Sequence, residues 1–171
     1  MAYELTYPVA GQSEIIPELM SIARNHTPWV KYFNFDAKQV PQDLLDQDPF
    51  LYWLSERYAY KAGILKMDPF TQYDWHVDDN RGVGVNLLLS KPRTSVCMYT
   101  DNKDALVKSV YPVVYIEGKY TVFNTQEPHN VINFHDTRYL FSIEFGRKAG
   151  DLDYKSLRHD IIINYEGFTD E

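Results

Sequence analysis

A chain of 171 residues is long enough to bury one core and short for two, so a single domain over 1–171 is expected. The formal net charge of −7, with no Lys/Arg stripe or aromatic-basic repeat, disfavours nucleic acid as a partner. No apolar stretch approaches the ~20 residues that span a bilayer, the start Met1-Ala2-Tyr3-Glu4 has no basic apolar leader, and a lone Cys97 precludes an internal disulfide; a cytoplasmic protein without membrane association is expected.

Aromatics make up 15% of the chain, with 14 Tyr among them, and this suits broad pleated surfaces and a mainly β fold. In chain order, Ser13 is placed to cap a helix over residues 13–26 whose Ile15, Ile16, Leu19, Ile22 and Ala23 share a face, with Pro17 limiting where its first turn begins. Residues 30–35 are aromatic and extended. Residues 41–47 form a turn or brief helix, after which Asp48-Pro49 supplies the N-cap and first position of a second helix to about Tyr58, with Phe50, Trp53 and Leu54 facing inward. Trp29 and Trp53 fasten this helical support layer, residues 1–60, to the sheet.

From residue 61 the pattern changes to about eight short strands separated by turn residues, ending near residue 146. Glu117-Gly118-Lys119 reads as the turn of a hairpin between the runs 113–116 and 120–123. The economical architecture is a double-stranded β-helix, or jelly roll: two antiparallel sheets face to face, an open mouth, and the N-terminal helices packed on one sheet. The tail, 147–171, carries a short helix near 154–159 and a strand-like Ile161-Ile162-Ile163.

The chain is organised around Tyr73-Asp74-Trp75-His76-Val77-Asp78-Asp79-Asn80-Arg81. Alternate residues of an extended chain share a face, so His76 and Asp78 project together as two cis metal ligands would. Surface loops hold such pairs by chance, and Asp74 and Asp79 are competing carboxylates; Asp74 shares the parity of His76, Asp79 does not, and Asp78 is the preferred ligand. His129, about 50 residues on, follows a proline at the start of a strand and supplies a third ligand, whereas His26, His135 and His159 read as structural or solvated. Two histidines and one carboxylate with positions left open suit a non-haem Fe(II) centre. Arg138 opens an apolar strand: the plain reading is a strand-end arginine in water, the functional one a fork that grips a carboxylate. Arg81 is either a substrate contact or a rim ion pair, Asn86 must find hydrogen bonds if buried, Asn133 is a supporting or core polar group, and Cys97 is a small core residue.

Taken together, Leu65-Lys66-Met67-Asp68-Pro69-Phe70, Asp74 to Asp78, Asn80-Arg81, Asn86-Leu87-Leu88-Leu89, Phe123-Asn124, Pro128-His129-Asn130-Val131-x-Asn133 and Arg138 resemble the 2-oxoglutarate and Fe(II)-dependent dioxygenases. Within that superfamily, residues 62–145 are most similar to the aspartyl/asparaginyl β-hydroxylase-like and prolyl-hydroxylase-like branches. The resemblance implies iron on His76, Asp78 and His129, the distal carboxylate of 2-oxoglutarate on Arg138, co-substrate contacts from Asn86 and Ser142, and a substrate rim of Arg81, Trp75, Tyr73 and Tyr99. It further implies consumption of Fe(II)-activated O2 and 2-oxoglutarate to hydroxylate a C–H of an amino acid, a peptide side chain or a small metabolite. Two departures stand out: Phe70 occupies a position where many relatives have glycine, and Asp78 supplies a carboxylate that the β-hydroxylase branch often lacks. A cupin-type metalloenzyme that does not use 2-oxoglutarate is a second reading, from His129-x-x-x-Asn133, although no His-x-His is present. A metal-free jelly-roll binding or structural protein is the third. Oligomeric state has no signal in the sequence.

Overall fold

The computed structural model describes residues 5–33, 35–146 and 151–167; the start Met1-Ala2-Tyr3-Glu4, Asn34 and both ends of the 147–171 tail lie outside the described residues. With strands numbered along the chain, a seven-stranded antiparallel sheet runs β1 (Thr6–Pro8), β9 (Thr121–Phe123), β6 (Gly84–Leu88), β11 (Arg138–Phe145), β4 (Tyr60–Met67), β3 (Phe35–Gln39) and β2 (Val30–Tyr32). A four-stranded sheet runs β5 (Gln72–His76), β10 (His129–Asn133), β7 (Ser95–Thr100) and β8 (Val110–Pro112). The helices are α1 (Ile16–Arg24), α2 (Gln42–Leu45), α3 (Pro49–Ser55) and α4 (Tyr154–Asp160), the last continuing into a π-helical turn, Ile161–Tyr165. Among the described residues, no helix is long and apolar enough to cross a membrane.

The jelly roll follows from period-two burial. On β11, Phe141, Ile143 and Phe145 point to one face of the large sheet, where they pack with Leu19, Leu51, Leu54 and Leu157 from the helices. The alternate residues Arg138, Leu140, Ser142 and Glu144 point to the other face, toward the small sheet. There a second, smaller apolar cluster, Met67, Cys97, Tyr99, Phe123 and Val131, holds the two sheets together. Cys97 is thus a core residue, and burial pushes its thiol up to about 12. Trp29, stacked on Tyr139 at 6.0 Å, and Trp53, stacked on Phe50 at 6.2 Å, both pack against the helix-side core.

Three expectations change. Residues 113–123 do not form a hairpin: β8 lies earlier, at Val110–Pro112, and pairs with β7, whereas β9 pairs with β1 and β6 in the other sheet. The cause is that Val113 and Tyr115 pack on the inter-sheet cluster while Tyr120 and Val122 pack on the helix-side core, so the two runs are drawn apart. The turn at Gly118, φ 75°, therefore carries the chain from one sheet to the other. Ile161-Ile162-Ile163 is helical, because Leu157 and Ile161, four apart, are both fully buried on the face that α4 already presents. The second long helix ends at Ser55 instead of near Tyr58.

Asp48 is the polar hub of the helical layer. It is 1% exposed. Its Oδ1 accepts from Phe50 N (3.1 Å) and Leu51 N (3.2 Å), capping α3, and its Oδ2 accepts from Ser13 Oγ (3.1 Å), Glu14 N (3.1 Å) and Tyr120 Oη (2.9 Å). Ser13 therefore joins α1 to this hub, and α1 itself begins at Ile16 without a side-chain cap. Losing the cap and the buried acceptor shared by Ser13 Oγ, Glu14 N and Tyr120 Oη together should make Asp48→Ala less stable by roughly 2–4 kcal/mol, read as a lower denaturant midpoint at unchanged m-value. Phe70, which stands where many members of the resembled superfamily have glycine, has φ 57° and is 75% exposed. A left-handed backbone costs a residue with a Cβ roughly 1–2 kcal/mol, against roughly 0.5–1 kcal/mol for the extra freedom of glycine when unfolded. Phe70→Gly should thus stabilise the fold by about 0.5–1 kcal/mol in the same assay.

Candidate metal centre

The centre depends on an irregularity in β5. Antiparallel pairing matches His129 with His76 and Val131 with Tyr73, so β10 advances two residues while β5 advances three. The extra residue is a β-bulge, a device that re-aims side chains. Tyr73 and His76 consequently face the same way, with rings stacked at 3.8 Å and 25°. Asp74, which simple alternation would have placed beside His76, is turned out and exposed, where its Oδ1 accepts from Trp75 N at 2.8 Å.

His76 and His129 are thereby cross-strand neighbours, and Asp78, just beyond β5, closes the group. Asp78 Oδ1 lies 3.4 Å from His76 Nε2 and 3.7 Å from His129 Nε2, and one candidate ligand atom from each residue falls within 4.8 Å of the others. His76 Nδ1 donates to Asp74 O (2.6 Å) and His129 Nδ1 donates to Glu127 O (2.8 Å). A carbonyl only accepts, so each Nδ1 carries the proton and each Nε2 lone pair is left facing Asp78, the tautomer that a metal ligand requires. Burial pushes the His129 imidazole down to about 4, against the bond to Glu127 O and the charge of Asp78, so the ring is neutral at pH 7. Burial raises the Asp78 carboxyl, but the contact with His76 and the positive charge of Arg81 outweigh it and hold the group at about 2.

Arg81 decides which oxygen of Asp78 is free. Its Nε donates to Oδ2, leaving Oδ1 toward the histidines. The turn between them is stitched to the loop that joins β9 to β10: Asp78 N donates to Thr125 O (3.1 Å), Thr125 Oγ1 donates to Arg81 O (2.6 Å), and Gln126 Nε2 donates to Asp78 O (2.9 Å) and Arg81 O (2.7 Å). From Arg81 a polar chain crosses the inner face of the large sheet. Arg81 Nη1 donates to Ser142 Oγ (3.3 Å), and Ser142 Oγ donates to Asn86 Oδ1 (2.8 Å). Tyr115 lies beside both Asn86 and Arg138, and Arg138 Nε donates to Ser95 Oγ (3.1 Å). Arg138 is 2% exposed, yet among the described residues no carboxylate lies within ion-pairing distance of it. A buried guanidinium without an anion is costly unless a ligand brings one.

The structure thus brings His76, Asp78 and His129 together and places Arg81, Ser142, Asn86 and Arg138 along one connected face. Tyr73 belongs to the site through its stack on His76. Two rim expectations are corrected. Tyr99 is 1% exposed, stacked on Phe123 at 4.9 Å and edge-on to His129 at 5.9 Å, with its hydroxyl donated to Leu5 O (3.2 Å) and Asn124 O (2.9 Å); it supports His129 from beneath. Trp75 projects from the side of β5 opposite His76, under the Lys108 ammonium at 5.2 Å. Asn133 clamps turns, its Nδ2 donating to Met67 O (3.3 Å), Asp68 O (2.8 Å) and Asp136 O (2.8 Å), which removes it from the metal and with it the basis of the cupin comparison. Sequence reasoning missed Ser95 and Tyr115, the partners of Arg138, because neither stands at a motif spacing.

No family profile matches the sequence, and no curated protein matches it. Solved structures do. A prolyl-4-hydroxylase of Pseudomonas putida superposes with a TM-score of 0.61 at 15% identity, covering 84% of this chain and 92% of that one. An oxidoreductase of the 2OG-Fe(II) oxygenase family from Burkholderia pseudomallei gives 0.62 at 11% identity, covering 88% and 89%. The non-haem alpha-ketoglutarate dependent epimerase SnoN of nogalamycin biosynthesis gives 0.61 at 13% identity, covering 84% and 78%. The chain therefore has the double-stranded β-helix fold that these 2-oxoglutarate-dependent proteins share.

Proposed function

We propose that the protein is an Fe(II)- and 2-oxoglutarate-dependent oxygenase that hydroxylates a C–H of an amino acid, a peptide side chain or a small metabolite. The observation that carries the reading is the pairing of a His76, Asp78 and His129 triad with a buried, anion-free Arg138 on the same inner face. One feature fits a metal and the other fits the far carboxylate of a dicarboxylic co-substrate. The retained carboxylate Asp78 favours the prolyl-hydroxylase-like branch over the β-hydroxylase-like one.

In this reading His76, Asp78 and His129 hold the iron through Nε2, Oδ1 and Nε2. Bound iron with 2-oxoglutarate and O2 supplies the oxidative decarboxylation that yields succinate and CO2 and puts oxygen into a C–H bond. The chain's own part is positioning and charge. Asp78 is ionised well below neutrality and His129 is neutral, so at pH 7 no proton need be displaced from either for a divalent cation to bind. Arg81 fixes the carboxylate for one-oxygen ligation, and Glu127 O and Asp74 O fix the imidazoles. Arg138, with Ser95 holding its guanidinium and Tyr115 beside it, grips the co-substrate, while Ser142 and Asn86 floor the space between.

Three measurements test this. Anaerobic addition of Fe(II) and 2-oxoglutarate should raise a weak visible charge-transfer band; its absence, with no succinate formed from any substrate pool, would sink the reading. Arg138→Ala should weaken 2-oxoglutarate binding roughly 30-fold or more, the least that truncating one partner of a buried charge pair costs, while iron binding persists. Conversely, His129→Ala or Asp78→Ala should lose iron in equilibrium dialysis by more than the roughly 10–100-fold that removing a mere supporting partner of a ligand costs. Iron retained in both variants would place the metal elsewhere.

A further inference from the structure

A cavity of about 370 Å³ opens on the inner face of the large sheet, lined by Arg81, which holds Asp78, and by Ser142, Gly63, Leu65, Tyr32 and Glu144. Its place relative to the centre can be read along β11. Inward residues of a strand repeat every ~6.7 Å, so Arg138, Leu140, Ser142 and Glu144 form a graduated row. Arg138 stands at one end. Ser142 touches Arg81, which holds Asp78, and Glu144 lies one step beyond. Counted from Arg138, Glu144 therefore lies one step beyond the point where Ser142 meets Arg81.

The charges lining this volume do not balance locally around Glu144. Lys31 is paired with Asp36 at 2.7 Å, Arg81 with Asp78, and Lys38 donates its ammonium to Ile22 O (3.0 Å) and Asn25 O (2.9 Å). Lys61, across from Glu144 in the β4–β11 register, is exposed and makes no ion pair with it. Glu144 is half-buried, and the partner its side chain has among the described residues is the neutral hydroxyl of Tyr32. Burial, reinforced by the bond to Glu144, pushes that hydroxyl up to about 12, so it stays a donor and holds the Glu144 carboxylate in one orientation. The remaining wall is mostly apolar, with Val30, Ala37 and Leu65, and Gly63 leaves the floor bare; a Cβ there would meet Lys38 O at 3.1 Å.

We propose that this cavity is the substrate pocket and that Glu144, held by Tyr32, selects a substrate carrying a protonated amine or guanidine at the end of an apolar stem. The inference rests on the oxygenase reading for the reaction, but not for the binding. A cationic side chain supplies both an anion's partner and aliphatic length to cover the apolar wall. Two sources share that chemistry, a free basic amino acid and a lysine or arginine side chain within a peptide.

The test is calorimetric binding of L-lysine, L-arginine and a blocked lysine-containing tripeptide, each beside its norleucine counterpart as an uncharged analogue. It is run on the metal-free protein and again anaerobically with Fe(II) and 2-oxoglutarate. At least one cationic probe should bind about tenfold tighter than its norleucine analogue. Glu144→Gln should abolish that preference, and Tyr32→Phe should reduce it, with the charge-transfer band intact in both. Preference for the tripeptide over free lysine would assign the peptide source, and the reverse the free amino acid. Equal binding of charged and uncharged probes, no binding of any cationic probe, or a preference that survives Glu144→Gln would overturn the proposal. A band without cation selectivity sinks this inference alone, whereas cation selectivity without a band sinks the oxygenase reading and leaves the cation site standing.

Discussion

The grip of Arg81 on one oxygen of Asp78 is the interaction on which the centre depends. A carboxylate largely removed from water and set between two imidazoles would take up a proton or swing away; the adjacent guanidinium keeps it ionised and in one orientation. The same guanidinium reaches Ser142, so the orientation of the ligand is tied to the central strand of the large sheet. Its backbone carbonyl is in turn held by Thr125 and Gln126, which belong to the segment leading into His129. One residue thus couples the position of the first ligand pair to that of the third.

The division of the core into two clusters explains how so polar a face can exist inside a small protein. The helices and the outer face of the large sheet bury the greater share of large apolar side chains, while the inter-sheet cluster is limited to Met67, Cys97, Tyr99, Phe123 and Val131. Stability is concentrated in the first, with Asp48 tying its helices to the sheet. The gap between the sheets is left to carry buried Asn86, Ser142, His129 and Arg138 without having to close as a packed interior.

The grouping of His76, Asp78 and His129 was legible in the chain because the metal ligation proposed for them restricts residue type as well as place. His76, Asp78, His129 and Arg138 are each of a kind that a strand end seldom carries without reason, and the two-sheet framework came from short apolar runs between turn residues. What escaped has physical causes. The bulge in β5 leaves no mark in the composition of Tyr73-Asp74-Trp75, so the rule of alternation set Asp74 beside His76, where the structure turns it out. The false hairpin arose because residues 113–123 carry the right local pattern, while their pairing is settled by which core each half joins. Tyr99 is a rim residue in the expectation drawn from the resemblance, yet its hydroxyl is bound to two backbone carbonyls in the interior. Glu144 did have a signal: a charge within an apolar strand, at the same parity as Arg138 and Ser142.

The row of inward residues on β11 has a consequence for how such a protein can change. In the proposed reading its two ends address different molecules, and the rigid pitch of a central strand, hydrogen-bonded on both sides by β4 and β6, keeps their separation constant. Substitution at the Glu144 end, or in the neighbouring edge strand β2 that supplies Tyr32, can redirect what is accepted without disturbing the far end, where Arg138 meets Ser95 and Tyr115. The strand acts as a fixed spacer between an invariant demand and a negotiable one, so new preferences can arise at its open end while the reaction chemistry is inherited unchanged.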